Sequence, residues 1–103
     1  MAARKTILIV DDDPELRETL AEQFSYDDEF DVLTADAARP GIELAQSERV
    51  DVILFDVGLP DMDGREACRL MRKAGVTTPI ILLTAQSSDA DHVLGLRSGA
   101  NDF

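Results

Sequence analysis

The stretch ILIVDDDPE, residues 7–15, decides the fold of this chain. Its first four residues form an unbroken aliphatic run, a pattern that predicts a parallel strand buried on both faces. Three adjacent carboxylates, residues 11–13, follow this run, and Pro14 comes directly after them. Because proline is favoured in the first turn of a helix, the stretch predicts a strand end, an acidic cluster and a helix start in immediate succession.

Two arrangements account for the start of this helix. Asp13 precedes Pro14 and is a good N-cap, with a charge that suits the helix dipole. Alternatively, Asp12 with Glu15 three residues later resembles a capping box. Under either arrangement the helix begins beside the acidic cluster.

The alternation of strand and helix continues along the chain. Further strands are predicted at Phe30–Ala35, Val52–Phe55 and Pro79–Leu83. Helical periodicity predicts helices at 14–24, 37–47, 65–73 and 89–98. The third helix is expected to turn Ala67, Leu70 and Met71 inward and to end at Gly75. Short connections between these elements predict a doubly wound parallel α/β sheet with helices on both faces.

Composition limits the classes of function. The chain has 103 residues, enough for one domain, and a net charge of −11, which argues against direct binding of nucleic acid or an anionic membrane. A single cysteine, Cys68, excludes an intrachain disulfide and a cysteine-rich zinc site; we expect a half-buried thiol. The N-terminal apolar run is too short for a signal peptide or a membrane span. A reduced, cytoplasmic domain is predicted.

The candidate chemistry lies just after the strands, because ligands of open α/β sheets bind beyond the carboxyl ends of the strands. Asp11 and Asp12 follow the first strand, Asp56 the third, and Thr84 and Ala85 the fourth. If the first and third strands are neighbours, three carboxylates converge and their repulsion calls for a hard cation, Mg²⁺, Mn²⁺ or Ca²⁺. The leading hypothesis is phosphate chemistry, with Asp56 as nucleophile and the Thr84 hydroxyl holding a phosphoryl oxygen.

Four motifs together resemble the receiver domain of two-component response regulators. They are ILIVDDDPELR (7–17), DVILFDVGLPDMDG (51–64), PIILLTA (79–85) and GANDF (99–103). The resemblance implies a flavodoxin-like (CheY-like) sheet of order 2-1-3-4-5. It also implies a Mg²⁺-dependent transfer of a phosphoryl group from a sensor histidine kinase to an aspartate, with Mn²⁺ as an alternative cation. Such a domain is a switch that catalyses only its own phosphorylation and dephosphorylation, and its output is expected to be transcription regulation.

The resemblance also implies roles for individual residues. Asp56 matches the phosphoacceptor, and it belongs to the metal site together with Asp12, which binds the metal directly, and Asp11, which acts largely through water. The backbone carbonyl of Gly58 is expected to be a further metal ligand.

Further matches concern the switch that follows phosphorylation. Thr84 matches the switch hydroxyl, Ala85 leaves room beside the phosphate, and Phe103 matches the aromatic switch residue. The segment DADHVLGLRSGANDF, residues 89–103, resembles the winged-helix (OmpR-type) transcription factor subfamily.

The chain departs from the family pattern at its end. Family members carry a lysine a few residues beyond the position of Phe103, and then a fifth helix. We therefore expect residues 1–103 to be a receiver domain truncated at its C-terminus, with sheet order 2-1-3-4, without the fifth strand and helix and without an output domain. The fourth strand should then be an exposed edge, which favours homodimerisation or non-native self-association. Mg²⁺ binding should survive the loss of the lysine, whereas signal transmission should fail.

Three rival interpretations remain. A haloacid-dehalogenase-type phosphatase also uses an aspartate nucleophile and Mg²⁺, but needs a second aspartate where Gly58 stands. A Ca²⁺ module is a further alternative, because DMDG (61–64) is similar to part of an EF-hand loop, but that loop needs an acid where Leu59 stands and a glutamate where Leu70 stands. A receiver that no longer accepts phosphate would serve as an interaction domain.

Overall fold

The computed structural model describes residues 4–26 and 29–83. Four strands and three helices alternate along these residues: β1 (Lys5–Val10), α1 (Pro14–Ser25), β2 (Phe30–Ala35), α2 (Ala38–Ser47), β3 (Val52–Asp56), α3 (Gly64–Lys73) and β4 (Ile80–Leu83). The predicted alternation is confirmed over this part of the chain. The helix predicted at 89–98 lies outside the described residues. No helix within the described ranges has the length and apolar character that crossing a membrane requires.

The strands form one parallel sheet of order β2-β1-β3-β4, which confirms the predicted order 2-1-3-4. The chain crosses from β1 to β2 in one direction and returns past β1 to β3 and β4 in the other. Because parallel crossovers are right-handed, α1 lies on one face of the sheet and α2 and α3 lie on the other. The reversal makes the carboxyl ends of β1 and β3 the topological switch point.

Successive side chains of β1 point to opposite faces of the sheet, and the strand is buried on both faces from Ile7 to Val10. Leu8 and Val10 belong to the core under α2 and α3, together with Ile53 and Phe55 of β3, and all four are fully buried. Ile7 and Ile9 are also buried, and their side chains point to the other face. A strand with apolar residues on both faces is what the run in residues 7–10 predicted.

The buried stripe of α3 differs from the predicted one. Gly64, Ala67, Cys68 and Met71 are buried, whereas Leu70 is 40% exposed. Positions spaced three and four apart share one face of a helix, and this set leaves residue 70 off that face. The inward placement of Leu70 and the half-buried thiol were therefore wrong, because the fully buried Cys68 occupies the core position.

Gly75 ends α3 as predicted. Its φ of +95° is left-handed, a conformation that glycine adopts without strain. Its N–H donates to the carbonyl of Arg72, and the Val76 N–H donates to the carbonyl of Met71. These two bonds form a Schellman motif, which satisfies helix-terminal carbonyls and turns the chain toward β4.

Candidate metal centre

Three carboxylates meet at the carboxyl edge of the sheet. Val10 of β1 pairs with Phe55 of β3, so the residues that follow them, Asp11 and Asp56, lie side by side. Asp11, Asp12 and Asp56 each offer an oxygen within 4.8 Å of the others. The structure therefore brings together the three acidic residues that the sequence placed after neighbouring strands.

The side chain of Asp11, the first carboxylate of the cluster, is buried and held by a hydrogen bond. Asp11 is only 3% exposed, and its Oδ1 accepts a hydrogen bond of 2.8 Å from the Asp13 N–H. Arg17 Nη1 donates to the Asp11 carbonyl at 2.7 Å, which ties the same residue to the second turn of α1. Asp12, in contrast, is exposed. One ligand candidate is thus fixed by the fold, whereas its neighbour faces solvent.

The electrostatics of Asp56 favour a bound cation. Burial raises the pKa of its carboxyl group, and the negative charges of Asp11 and Asp12 raise it further. A hydrogen bond of 3.1 Å from the Gly58 N–H to Asp56 Oδ1 acts in the opposite direction without cancelling the rise in pKa. Because a nearby positive charge would relieve this repulsion, the cluster is suited to a hard divalent cation with oxygen ligands.

A cleft of about 430 Å³ opens above the cluster. Residues 11–13 and Asp56 line its polar side, and Leu16, Leu20 and Leu83 line its apolar side. Since one water molecule occupies roughly 30 Å³, this volume accommodates a hydrated cation together with a phosphoryl group. Donor type, burial and space therefore all fit a Mg²⁺ or Mn²⁺ ion at the three carboxylates.

The helix start beside the cluster is now assigned. Asp13 Oδ1 accepts hydrogen bonds from the N–H groups of Glu15 (3.0 Å) and Leu16 (3.3 Å), and Pro14 is the first helical residue. Asp13 is therefore the N-cap, and the capping box of Asp12 and Glu15 was the wrong alternative. The Asp12 carboxylate does not cap the helix, and Asp12 lines the cleft.

The loop between β3 and α3, residues 57–63, contains two acidic residues that cap helices. Asp63 is the N-cap of α3: its Oδ1 accepts from the Arg65 N–H at 2.8 Å. The Arg65 side chain also pairs with Asp63, which lowers the pKa of that carboxyl group. Asp61 reaches further along the chain and accepts from Ala38 N–H (2.8 Å) and Arg39 N–H (3.0 Å) at the start of α2.

The sequence interpretation missed this use of Asp61. The available signal was indirect: Ala37 precedes α2 and has no side chain able to cap it. The hydrogen bonds from Arg39 and Ala38 lower the pKa of Asp61. Because Asp61 and Asp63 bind backbone N–H groups of two different helices, they do not converge on a cation, which weighs against the Ca²⁺ module.

Several predicted site residues lie beyond the part of the chain that the structure describes. Thr84, Ala85 and Phe103 fall in this category, and their roles remain predictions. Gly58 is described and exposed, and its N–H contacts Asp56; the role of its carbonyl as a metal ligand also remains a prediction.

Comparison of the sequence with known proteins identifies its family. The family described as response regulator receiver domain matches residues 7–103. Response regulator MprA of Mycolicibacterium vanbaalenii is 40% identical over 97 residues, covering 94% of this chain and 42% of that protein. The alkaline phosphatase synthesis transcriptional regulatory protein PhoP of Bacillus subtilis is 38% identical over 102 residues, covering 96% of this chain and 41% of that protein. This chain thus spans about two fifths of the length of these curated relatives.

Solved structures agree with this match. Vibrio cholerae chemotaxis protein CheY4 superimposes with a TM-score of 0.91 at 31% identity, covering 97% of this chain and 84% of that chain. DrrB of Thermotoga maritima, described as an OmpR/PhoB homologue, superimposes with a TM-score of 0.83 at 31% identity, covering 96% of this chain and 44% of that chain. The flavodoxin-like (CheY-like) fold is confirmed, and the DrrB match agrees with the predicted resemblance to the OmpR-type subfamily. This chain, with its acidic cluster at the carboxyl edge of the sheet, therefore belongs to the response regulator receiver domain family.

Proposed function

We propose that this chain is a phosphorylation-dependent switch that accepts a phosphoryl group on Asp56 from a sensor histidine kinase. The observation that carries the proposal is the position of Asp56. It ends the inner strand β3 and is half-buried, and it lines an open cleft in which one of its carboxylate oxygens lies within 4.8 Å of oxygens of Asp11 and Asp12. A nucleophile must be reachable by its donor, and this carboxylate is both held by the sheet and open to the cleft.

Asp11, Asp12 and Asp56 would hold a Mg²⁺ or Mn²⁺ ion, with the Gly58 carbonyl as a fourth protein ligand. A divalent cation at this place supplies neutralisation of the charge on the phosphoryl oxygens during transfer. The buried Asp11 sets the depth of the site because its side chain is held by the Asp13 N–H. The exposed Asp12 and half-buried Asp56 face the entering donor.

In the transfer step, an Asp56 carboxylate oxygen forms a bond to phosphorus as the phosphorus–nitrogen bond of a phosphohistidine breaks. The electron pair of that bond remains on the imidazole nitrogen, and the product is an acyl phosphate on Asp56. The hydrogen bond from the Gly58 N–H to Oδ1 orients the carboxylate before attack. The acyl phosphate carries about two negative charges where the Asp56 carboxylate carried one, beside the carboxylates of Asp11 and Asp12, and this change can drive a conformational switch.

The switch itself would use residues that lie outside the described ranges. We propose that the Thr84 hydroxyl binds a phosphoryl oxygen, that Ala85 leaves space for it, and that Phe103 moves with Thr84. The name of the relative PhoP, a transcriptional regulatory protein, supports transcription regulation as the output. On this proposal the domain acts in the cytoplasm and catalyses only its own phosphorylation and dephosphorylation.

Acetyl phosphate labelling tests the proposal directly. The chain is incubated with acetyl phosphate and MgCl₂, and intact-mass and peptide mass spectrometry locate the phosphoryl group. We expect one phosphoryl group on Asp56, none on Asp56→Asn, and none when EDTA replaces MgCl₂. A purified sensor histidine kinase with phosphorylated histidine can then replace acetyl phosphate as the donor.

The matched control is Asp51→Asn, which changes a carboxylate to an amide directly before β3, at the opposite end of that strand from Asp56. Asp51 Oδ2 accepts from the Thr6 N–H at 2.7 Å, and the asparagine carbonyl can retain this bond. This variant should take up label as the parent chain does. Equal labelling of Asp56→Asn and the parent would show that Asp56 is not the acceptor. An unlabelled parent under conditions that label a known receiver would favour an interaction domain that no longer accepts phosphate.

A further inference from the structure

The β3–α3 loop, which carries the proposed ligand Gly58, is hydrogen-bonded to α2, a helix that contains no proposed site residue. Asp61, three residues after Gly58, places one carboxylate oxygen 2.8 Å from Ala38 N and the other 3.0 Å from Arg39 N. Both N–H groups belong to the first turn of α2, and they have no intrahelical acceptor. The loop therefore supplies α2 with the cap that Ala37 cannot provide.

The same loop is connected to the site at its other side. The Gly58 N–H donates to Asp56 Oδ1, and Gly58 forms an antiparallel bridge with Asp63, the residue that caps α3. Leu59, between Gly58 and Asp61, is 8% exposed and belongs to the core. Asp61 thus attaches this loop to α2. Only two residues separate it from Gly58, and one of them, Leu59, is anchored in the core, so a displacement of Asp61 should reach Gly58.

We propose that Asp61 is a positioning residue for the divalent cation: by bonding both carboxylate oxygens to the start of α2, it holds the β3–α3 loop so that the Gly58 carbonyl faces the metal site. This inference rests on the proposed function, in which that carbonyl is a ligand. It assigns Asp61 no contact with the cation or the phosphoryl group. Groups that orient metal ligands typically change metal affinity by about 10-fold to 100-fold when they are removed.

The chemistry of Asp61 suits a permanent attachment. Its two hydrogen bonds are made by an ionised carboxylate, and such charge-assisted bonds are stronger than neutral ones. The positive end of the α2 dipole also favours the negative charge at this position. The two hydrogen bonds from Arg39 and Ala38 lower the pKa of Asp61, as expected for an ionised carboxylate that accepts both of them.

Isothermal titration calorimetry with MgCl₂ on the full chain tests the inference without any phosphorylation step. We expect Asp61→Ala to raise the Kd for Mg²⁺ about tenfold, the lower end of the range for orienting groups, because Leu59 and the Gly58–Asp63 bridge still restrain the loop. Asp61→Asn retains one acceptor oxygen and should give an intermediate Kd. It also provides a milder variant should the alanine variant fold poorly. Exchange of the backbone amide hydrogens of residues 57–59 should be faster in both variants.

A second substitution separates attachment of the loop from simple capping of α2. Ala37 has extended backbone angles, φ −153° and ψ 164°, which suit an N-cap, so serine at this position can cap α2 locally. In the double variant Asp61→Ala/Ala37→Ser we expect the urea unfolding midpoint to recover while the Kd for Mg²⁺ stays raised. If the Kd recovers together with the midpoint, Asp61 merely stabilises α2 and the inference is wrong.

Asp51→Ala is the control for general destabilisation. It removes the bond to the Thr6 N–H at the amino end of β3, far along the strand from Asp56, so it should lower the unfolding midpoint without changing the Kd for Mg²⁺. A Kd for Asp61→Ala equal to that of the parent, or a Kd raised equally by Asp51→Ala, overturns the inference alone. Absence of Mg²⁺ binding by the parent chain overturns the proposed function and this inference with it.

Discussion

Replacing Gly64 with alanine should damage the site from a position that touches neither cation nor phosphate. A Cβ added at Gly64 would lie 2.6 Å from the Asp56 carbonyl oxygen and 2.8 Å from Val57 Cα. Ordinary van der Waals contacts begin at 3.4 Å, so the backbone atoms would have to separate by up to 0.8 Å. The contacting atoms are backbone rather than flexible side chain, and they belong to the acceptor residue itself.

The free-energy change follows from two opposing effects. Overpacking of this kind costs about 1–3 kcal/mol, whereas replacing glycine by alanine at a compatible position stabilises by about 0.4–1 kcal/mol through the unfolded chain. We therefore expect Gly64→Ala to lower the free energy of unfolding by about 1–2 kcal/mol. A displacement of about 1 Å at a reacting group can slow a reaction by about 100-fold, so phosphorylation of Asp56 should slow by about 10-fold to 100-fold.

Urea unfolding and acetyl phosphate labelling measure the two effects. Gly58→Ala is the matched control: it lies in the loop that leads to Gly64, has no positive φ, and its added Cβ meets nothing within 4 Å. Its unfolding free energy should be unchanged or raised by up to about 1 kcal/mol, and it should still bind Mg²⁺ because the proposed ligand is a backbone carbonyl. Equal stability and equal labelling rates for the two variants would refute the reasoning from close backbone contact.

Further predictions concern charge, pH and the thiol. Asp56→Asn should raise the thermal midpoint in EDTA, because it removes one of three carboxylates within 4.8 Å, and added Mg²⁺ should stabilise the parent more than the variant; a lower midpoint in EDTA would contradict this. Since the pKa of Asp61 is lowered by folding, its bonds stabilise the protein above the unfolded pKa of about 3.9 and lose this contribution as the pH falls through the folded pKa. The stability difference between the parent and Asp61→Ala, about 1 kcal/mol at neutral pH, should therefore shrink in urea titrations below about pH 4. Cys68 is fully buried and burial raises the pKa of its thiol, so it should react with a thiol reagent only after unfolding; rapid labelling of the folded chain would show otherwise.

The sheet and its acidic edge were predictable because both follow from local patterns. The apolar runs at 7–10 and 52–55 fall within β1 and β3, and a carboxylate after each run marks the point where the strand leaves the core. The neighbour relation between these strands required the family resemblance, because residue patterns identify strands without ordering them. Once the order was assumed, the convergence of Asp11 and Asp56 followed from the parallel arrangement.

Helix orientation and long-range caps were less predictable for physical reasons. Leu70 and Met71 are adjacent apolar residues in α3, and only the packing of the helix decides which one is buried. The bonds from Asp61 to Ala38 and Arg39 join residues 23 and 22 positions apart, so no local pattern contains them. Caps are usually sought within three residues of the helix they serve, and the search fails when another loop provides the cap.

The contacts of the β3–α3 loop also restrict insertions and deletions in this part of the chain. Residues 57–63 connect the end of β3 to the start of α3, with contacts to Asp56, to α2 and to the core along the way. An inserted or deleted residue would shift Gly58, Asp61 or Gly64 out of register with its partner. Insertions should therefore be tolerated poorly between Asp56 and Gly64.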